Sequence, residues 1–251
     1  MKSKTGTSLW LQDIRKYEYA VGVSKGIGVF LLILYVFYES FIPALFLFPV
    51  WILYMKDWLF DMGRKKEQEF IRQFRDSIQS MASVLKAGYS VENAIRESDK
   101  DIAPMYGKDT RIRKEYAMMI HQLDLNMPAA AVLEEFSQRM NQEDVENFVN
   151  VFIAAKKSGG DSITIIRNAI RVISEKIDTE NEIQTMLASK KLEFEIMCAV
   201  PFVIILYMKL TFREFLSVLY GNPAGITVMT RCLVLYIAAY IFGRKIIRIE
   251  V

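Results

Sequence analysis

The stretch NQEDVENFVNVFIAAKKSGGDSITIIRNAIRVISEKIDTENEIQTMLASKKLEFEIMCAVP, Asn141 to Pro201, decides the fold. Its first part places Val145, Phe148, Val149, Phe152 and Ala155 on one face at helical spacing. Asn141 and Asp144 resemble a capping box, with Asp a weaker partner than Glu or Gln. Gly159 is suited to stop that helix, and Asp161 or Ser162 to cap the next. The second helix carries Ile163, Ile166, Ile170, Ile173 and Ile177 at alternating three- and four-residue spacing. It then passes Lys190-Lys191 and enters the uncharged run IMCAVPFVIILYM. A face built for a water-soluble bundle is thus joined covalently to a segment built for a bilayer.

The totals agree with a mixed object. Of 251 residues 52% are apolar and 24% charged, and the charge lies almost wholly outside the apolar blocks. A net charge of +3 gives no electrostatic ground for nucleic acid as a partner. The two cysteines, Cys198 and Cys232, both fall in apolar segments, as small core or lipid-facing residues do, and form no disulfide framework.

Residues 1–25 are a polar, basic leader, read as cytoplasmic. A secretory signal is the competing reading, but the basic leader is long and no small-residue cleavage site follows the first apolar run. Residues 26–58 form a first transmembrane hairpin, with spans over Val21–Tyr38 and Ser40–Leu59 and Glu39-Ser40 at the tip. Those lengths require Lys25, Lys56 and Asp57 to reach the headgroups; a shallow re-entrant hairpin is the alternative. Arg64-Lys65-Lys66 marks the exit from the membrane.

Residues 64–195 read as a cytoplasmic helical-bundle domain of about six helices, large enough to hold its own core. The first helix aligns Phe70, Ile71, Phe74, Ile78, Met81, Ala82 and Leu85 and stops at Gly88. Ser90 caps a short helix with Val91, Ala94 and Ile95 inward, and Asp99–Thr110 is a connecting loop. A helix with Ile112, Tyr116, Met119, Ile120 and Leu123 follows, then one opened by Pro128 with Val132, Leu133, Phe136 and Met140. "VLKAGYSVENAI" and "AKKSGGDSITIIRNAI" each combine a helix, a Gly stop and a second helix, which fits either a duplication or the general form of helical hairpins. Residues 196–243 form a second transmembrane hairpin and residues 244–251 a basic tail. Basic clusters in the leader, Arg64–Lys66, Lys190-Lys191 and Arg244–Arg248 place both termini and the bundle inside, with two short loops outside. The fold class is therefore all-α: a cytoplasmic bundle between two transmembrane helical hairpins.

No catalytic constellation emerges, and no catalytic, cofactor-binding or metal residue is assigned. His121 is the only histidine and has no nucleotide-binding partner motif. Glu134, Glu135, Glu143, Asp144 and Glu146 make an acidic cluster on two adjacent helices, read as a solvated face, since no loop like an EF-hand accompanies it. Gly159-Gly160 is followed by Asp161, so it is not a P-loop. Arg231 is the exception within the apolar segments: it either snorkels to the outer interface or pairs with a carboxylate such as Glu39 or Glu214.

FIRQFRDSIQSMASVLKAGYSVENAI (Phe70–Ile95), the block from Asp144 through Gly159-Gly160 to Lys190-Lys191 and Pro201, Asn222-Pro223-Ala224-Gly225, and the closing RKIIRIEV carry a resemblance. From about Phe70 to Val251 the chain resembles the type II secretion system F family, in the shorter form of tight-adherence (Tad) pilus assembly, most closely its TadB-like members. One cytoplasmic module is present where the two-copy branch has two. The resemblance implies a multi-pass platform protein of the bacterial plasma membrane, not an enzyme and without cofactor. Its implied partners are a separate cytoplasmic ATPase, pilins, membrane lipid, and a second F-family protein or another copy of itself. A small polytopic transporter or channel component is the alternative from the residues alone.

Overall fold

A computed structural model describes residues 10–14, 16–38, 44–158, 162–212 and 222–247. The hairpin tip Glu39-Ser40, the Gly159–Asp161 stop, the greater part of the Met208–Pro223 loop and the end of the basic tail lie outside the described residues. Eight helices and no strand occur among the described residues: α1 (Lys16–Phe37), α2 (Ala44–Lys86), α3 (Val91–Ile102), α4 (Arg111–Asp124), α5 (Ala129–Met140), α6 (Glu143–Ser158), α7 (Ser162–Thr211) and α8 (Pro223–Ile247). The protein is all-α. It divides into two compact units, one of Met1–Ile14 with Asp61–Glu180 and one of Arg15–Phe60 with Asn181–Val251.

In the first unit the apolar stripes meet. Phe70, Phe74, Ile78, Met81 and Leu85 of α2, Ile112, Tyr116 and Met119 of α4, Val132, Leu133 and Phe136 of α5, Val145, Phe148 and Phe152 of α6, and Ile166, Ile170 and Ile177 of α7 form one buried cluster. Phe74 sits at its aromatic centre, 6.0 Å edge-on from Phe148 and 6.2 Å from Phe136. Consecutive helices from α3 to α6 are joined by short turns. Gly88, at φ +90°, supplies the left-handed residue after α2, and the Ser90 hydroxyl accepts from the Asn93 amide to start α3. Among the buried acids of this unit, Glu115 of α4 is held by the Arg139 guanidinium at 2.9 Å.

The structure differs from the sequence reading in four places here. Asn141 does not open α6; it closes α5 in the left-handed conformation (φ 48°, ψ 46°), which asparagine tolerates. Ile163 is exposed, because the core contact of the isoleucine stripe begins at Ile166. The connection after α3 is shorter, α3 continuing to Ile102. Finally, the leader is not only polar: Trp10 is 1% exposed and its ring lies 5.2 Å from Phe70, with Asp13 bridged to Arg111 at 3.1 Å.

In the second unit, three described helices are long and apolar enough to cross a membrane: Lys16–Phe37, Ile163–Thr211 through its apolar end, and Ala224–Ile246. The start of the fourth expected span, Ser40–Leu59, lies outside the described residues; from Ala44 the chain is helical, and α2 runs on past Arg64 without a break. Leu34, Val36 and Phe37 of α1 pack with Met229 and Leu233 of α8. Glycines let aromatic rings approach the backbone. A Cβ on Gly22 would stand 2.2 Å from the Trp58 ring, and one on Gly243 would stand 2.5 Å from the Phe194 ring. Polar groups are paired across helices: the Tyr236 hydroxyl donates to the Cys198 carbonyl at 2.8 Å, and Arg244 meets Asp57 at 3.0 Å. Lys209 is buried, with its ammonium 3.9 Å above the Tyr35 ring.

Candidate functional site

In the first unit a groove of about 500 Å³ lies between α2 and the N-terminal part of α7. Its walls follow from helical register. The core faces of both helices point inward, and the residues flanking those faces are Gln79 and Ser83 on α2 and Arg167, Arg171, Ser174 and Asp178 on α7. Arg75 of α2 reaches Asp178 at 2.8 Å and ties the two helices together at one end. Arg167 and Arg171, one turn apart, have no ion-pair partner among the described residues. Ser174 is buried, and its hydroxyl makes no hydrogen bond in the structure. The groove thus offers two guanidinium groups and an unused hydroxyl, donors suited to carboxylates of another protein. It holds no base and nucleophile in contact. The sequence reading passed over these residues, although Arg167 and Arg171 at i and i+4 beside the isoleucine stripe were the available signal.

The acidic cluster is dispersed by internal pairing. Asp144, buried in the first turn of α6, receives the Lys176 ammonium at 2.7 Å, and Glu143 stands 4.0 Å from the same nitrogen. Burial draws the Lys176 pKa down, but the hydrogen bond to Asp144 and the charges of Glu180 and Glu143 outweigh it and hold the group above the ordinary lysine value. Glu135 turns to Arg139 and Gln122, while Glu134 and Glu146 face solvent. Among the described residues no three acidic, histidine or cysteine side chains come together as a metal site would require.

His121 is exposed near the end of α4. Two tyrosines of the first unit are perturbed for structural reasons. Burial, and then the hydrogen bond that Tyr106 donates to Asp76, push its hydroxyl up to about 12. Burial likewise raises Tyr116, against a hydrogen bond with Ser77 that lowers it. In the second unit both cysteines are free thiols. Arg231 of α8 is exposed; the carboxylates suggested for it, Glu39 and Glu214, lie outside the described residues.

The family described as "Type II secretion system (T2SS), protein F" matches residues 77–209. The chain belongs to this family. The F-family region starts within α2, takes in the whole of α3 to α6, and ends two residues before the end of α7. It therefore contains the groove, the buried Glu115 and Asp144, and the apolar run through Pro201. No curated protein and no solved structure matches the chain. This protein is thus an F-family membrane protein with apolar helices long enough to span a bilayer.

Proposed function

We propose that this F-family protein is the TadB-like platform of a Tad pilus or type II secretion-like assembly machine in the bacterial plasma membrane. In this reading it couples a separate cytoplasmic ATPase to the assembly of pilins and catalyses no reaction itself. It works as an oligomer or beside a second F-family protein. The observation that carries the reading is α7. One uninterrupted helix supplies the isoleucine stripe of the bundle and then the apolar segment with Pro201, and the family match covers both. Residues 64–195 serve as the motor-facing domain, residues 26–58 and 196–243 as the membrane hairpins, and the basic clusters orient the bundle and both ends of the chain toward the cytoplasm. The groove of Arg167 and Arg171 supports a docking role for the bundle, since guanidinium groups with no ion-pair partner among the described residues suit an acidic partner surface.

Two experiments test the reading. Full-length protein purified in mild detergent from its own cells is expected to bring down a hexameric ATPase and a small pilin. Solute flux through liposomes holding this protein alone, with no copurifying ATPase, would defeat the proposal in favour of a transporter. For orientation, cysteines at the exposed positions Lys108 and Lys157 are expected to resist a membrane-impermeant label applied to intact cells, whereas one at Asn222 reacts. Labelling at Lys157 would reverse the topology.

A further inference from the structure

A guanidinium in an apolar helix needs an explanation, and none of the described residues supplies one for Arg231. It is the eighth residue of the candidate span Ala224–Ile246, about 10 Å along the axis from the first at 1.5 Å per residue. The packed side of α8 is settled by contacts: Met229 and Leu233 are buried against α1, and the Thr230 hydroxyl lies 3.0 Å from the Tyr38 hydroxyl. Successive residues turn by 100°, which puts Arg231 on the opposite side. Among the described residues it has no ion-pair or hydrogen-bond partner. Paired charges elsewhere in this unit, Arg244 with Asp57 and Lys209 with the Tyr35 carbonyl, show the contrast.

Arg231 also lies on a stripe. Val228, Arg231, Leu235, Ala238 and Phe242 recur at three- and four-residue intervals along the outward side of α8, and every one is exposed. That spacing is the one a second helix packs against, and Ala238 is small enough for close approach. The geometry points to this stripe as a docking seam for a membrane-spanning helix of another protein that carries one Asp or Glu at the depth of Arg231. Charge complementarity selects the occupant: a carboxylate meets the planar guanidinium fork through two parallel hydrogen bonds, and the two charges then face each other between the helices as a net-neutral pair shielded from the hydrocarbon. Val228, Leu235 and Phe242 supply the apolar contact on either side. The inference rests on the platform reading only for the client's identity, a membrane-embedded subunit handed on by the machine.

The probe is a set of lysine-flanked Leu/Ala spanning peptides with Glu, Gln or Leu eight residues from one end or the other. Each is acceptor-labelled and mixed with donor-labelled full-length protein in phosphatidylcholine vesicles. The Glu peptide in the matching orientation is expected to bind roughly 3- to 20-fold more tightly than its Gln counterpart, the range of one interhelical polar contact. Arg231→Leu should abolish that preference, Arg231→Lys should retain part of it, and Leu235→Trp should weaken binding of the Glu peptide. Equal binding of Glu and Gln peptides, or a preference that survives Arg231→Leu in a protein with unchanged melting, overturns the seam. A preference that disappears in phosphatidylglycerol vesicles assigns Arg231 to lipid phosphate and overturns it as well. Absence of a copurifying ATPase would sink the platform reading and leave this binding result standing.

Discussion

Replacing Thr185 by proline is the sharpest perturbation of α7. Thr185 is exposed, and its hydroxyl donates to the Asn181 carbonyl at 2.9 Å. Proline there removes the backbone donor to that same carbonyl and pushes its ring against it, at a cost of roughly 3 kcal/mol or more. Core packing is spared: the last buried residue before the site is Ile177, and no residue from Asp178 to Met208 is buried. The cost therefore falls on helical continuity between the isoleucine stripe and the apolar segment. Thr185→Ala loses only an exposed side-chain hydrogen bond and gains helix propensity, so it serves as the control. Protein level, ATPase copurification and filament output are measured for both. Thr185→Pro should keep parental level and ATPase binding and lose filaments, while Thr185→Ala matches the parent. Parental filament output from a stably expressed Thr185→Pro protein would refute the idea that α7 transmits the motor's work.

Three further outcomes follow from side-chain surroundings. Phe148→Ala, which empties the site beside Phe74 and Phe152, should lower the stability of the first unit by about 3–5 kcal/mol, read from the melting of full-length protein; a change below about 1 kcal/mol would contradict the aromatic core. Gly22→Ala drives a methyl into the Trp58 ring and should cost about 1–3 kcal/mol in detergent, whereas Gly28→Ala, with nothing within 4 Å, should be neutral or slightly stabilising. The raised Lys176 pKa means that its pairing with Asp144 contributes stability present in full below pH 10.5, the unfolded value, and lost as pH rises through the folded value. Lys176 is 43% exposed, so the contribution is under about 1 kcal/mol, and the melting difference between parent and Asp144→Asn should shrink above that pH. An undiminished difference would assign Asp144 to the helix terminus alone.

Much of the bundle was legible because burial and helical period coincide: the apolar faces of α2 and of α4 to α6 are the faces that meet in the core. Gly88 and Ser90 were legible for a local reason, one needing a left-handed backbone and the other offering an oxygen to an open amide. Asn141 was misread because asparagine serves both as an N-cap and as a left-handed terminator, and the flanking residues allow either. Trp10 was missed because a single aromatic in a basic segment has no period, and its partner Phe70 is 60 positions away in sequence. The groove was invisible for a related reason: Gln79 and Arg171 become neighbours only once α2 and α7 pack. The acidic cluster looked continuous along the chain, yet Lys176, more than 30 residues from Asp144, neutralises its buried member.

In the proposed function the helical unit of this F-family protein receives a cytoplasmic motor while its apolar helices lie in the bilayer. The most direct measurement places a photo-crosslinking residue in turn at Arg171, Lys157 and Lys108 of the bundle and at Val203 in the apolar part of α7. Adducts are then identified from intact cells that assemble the machine. ATPase adducts are expected from one or more of the bundle positions and none from Val203, which should capture membrane proteins or lipid alone. ATPase adducts at Val203, or at none of the three bundle positions in cells that still assemble filaments, would contradict it.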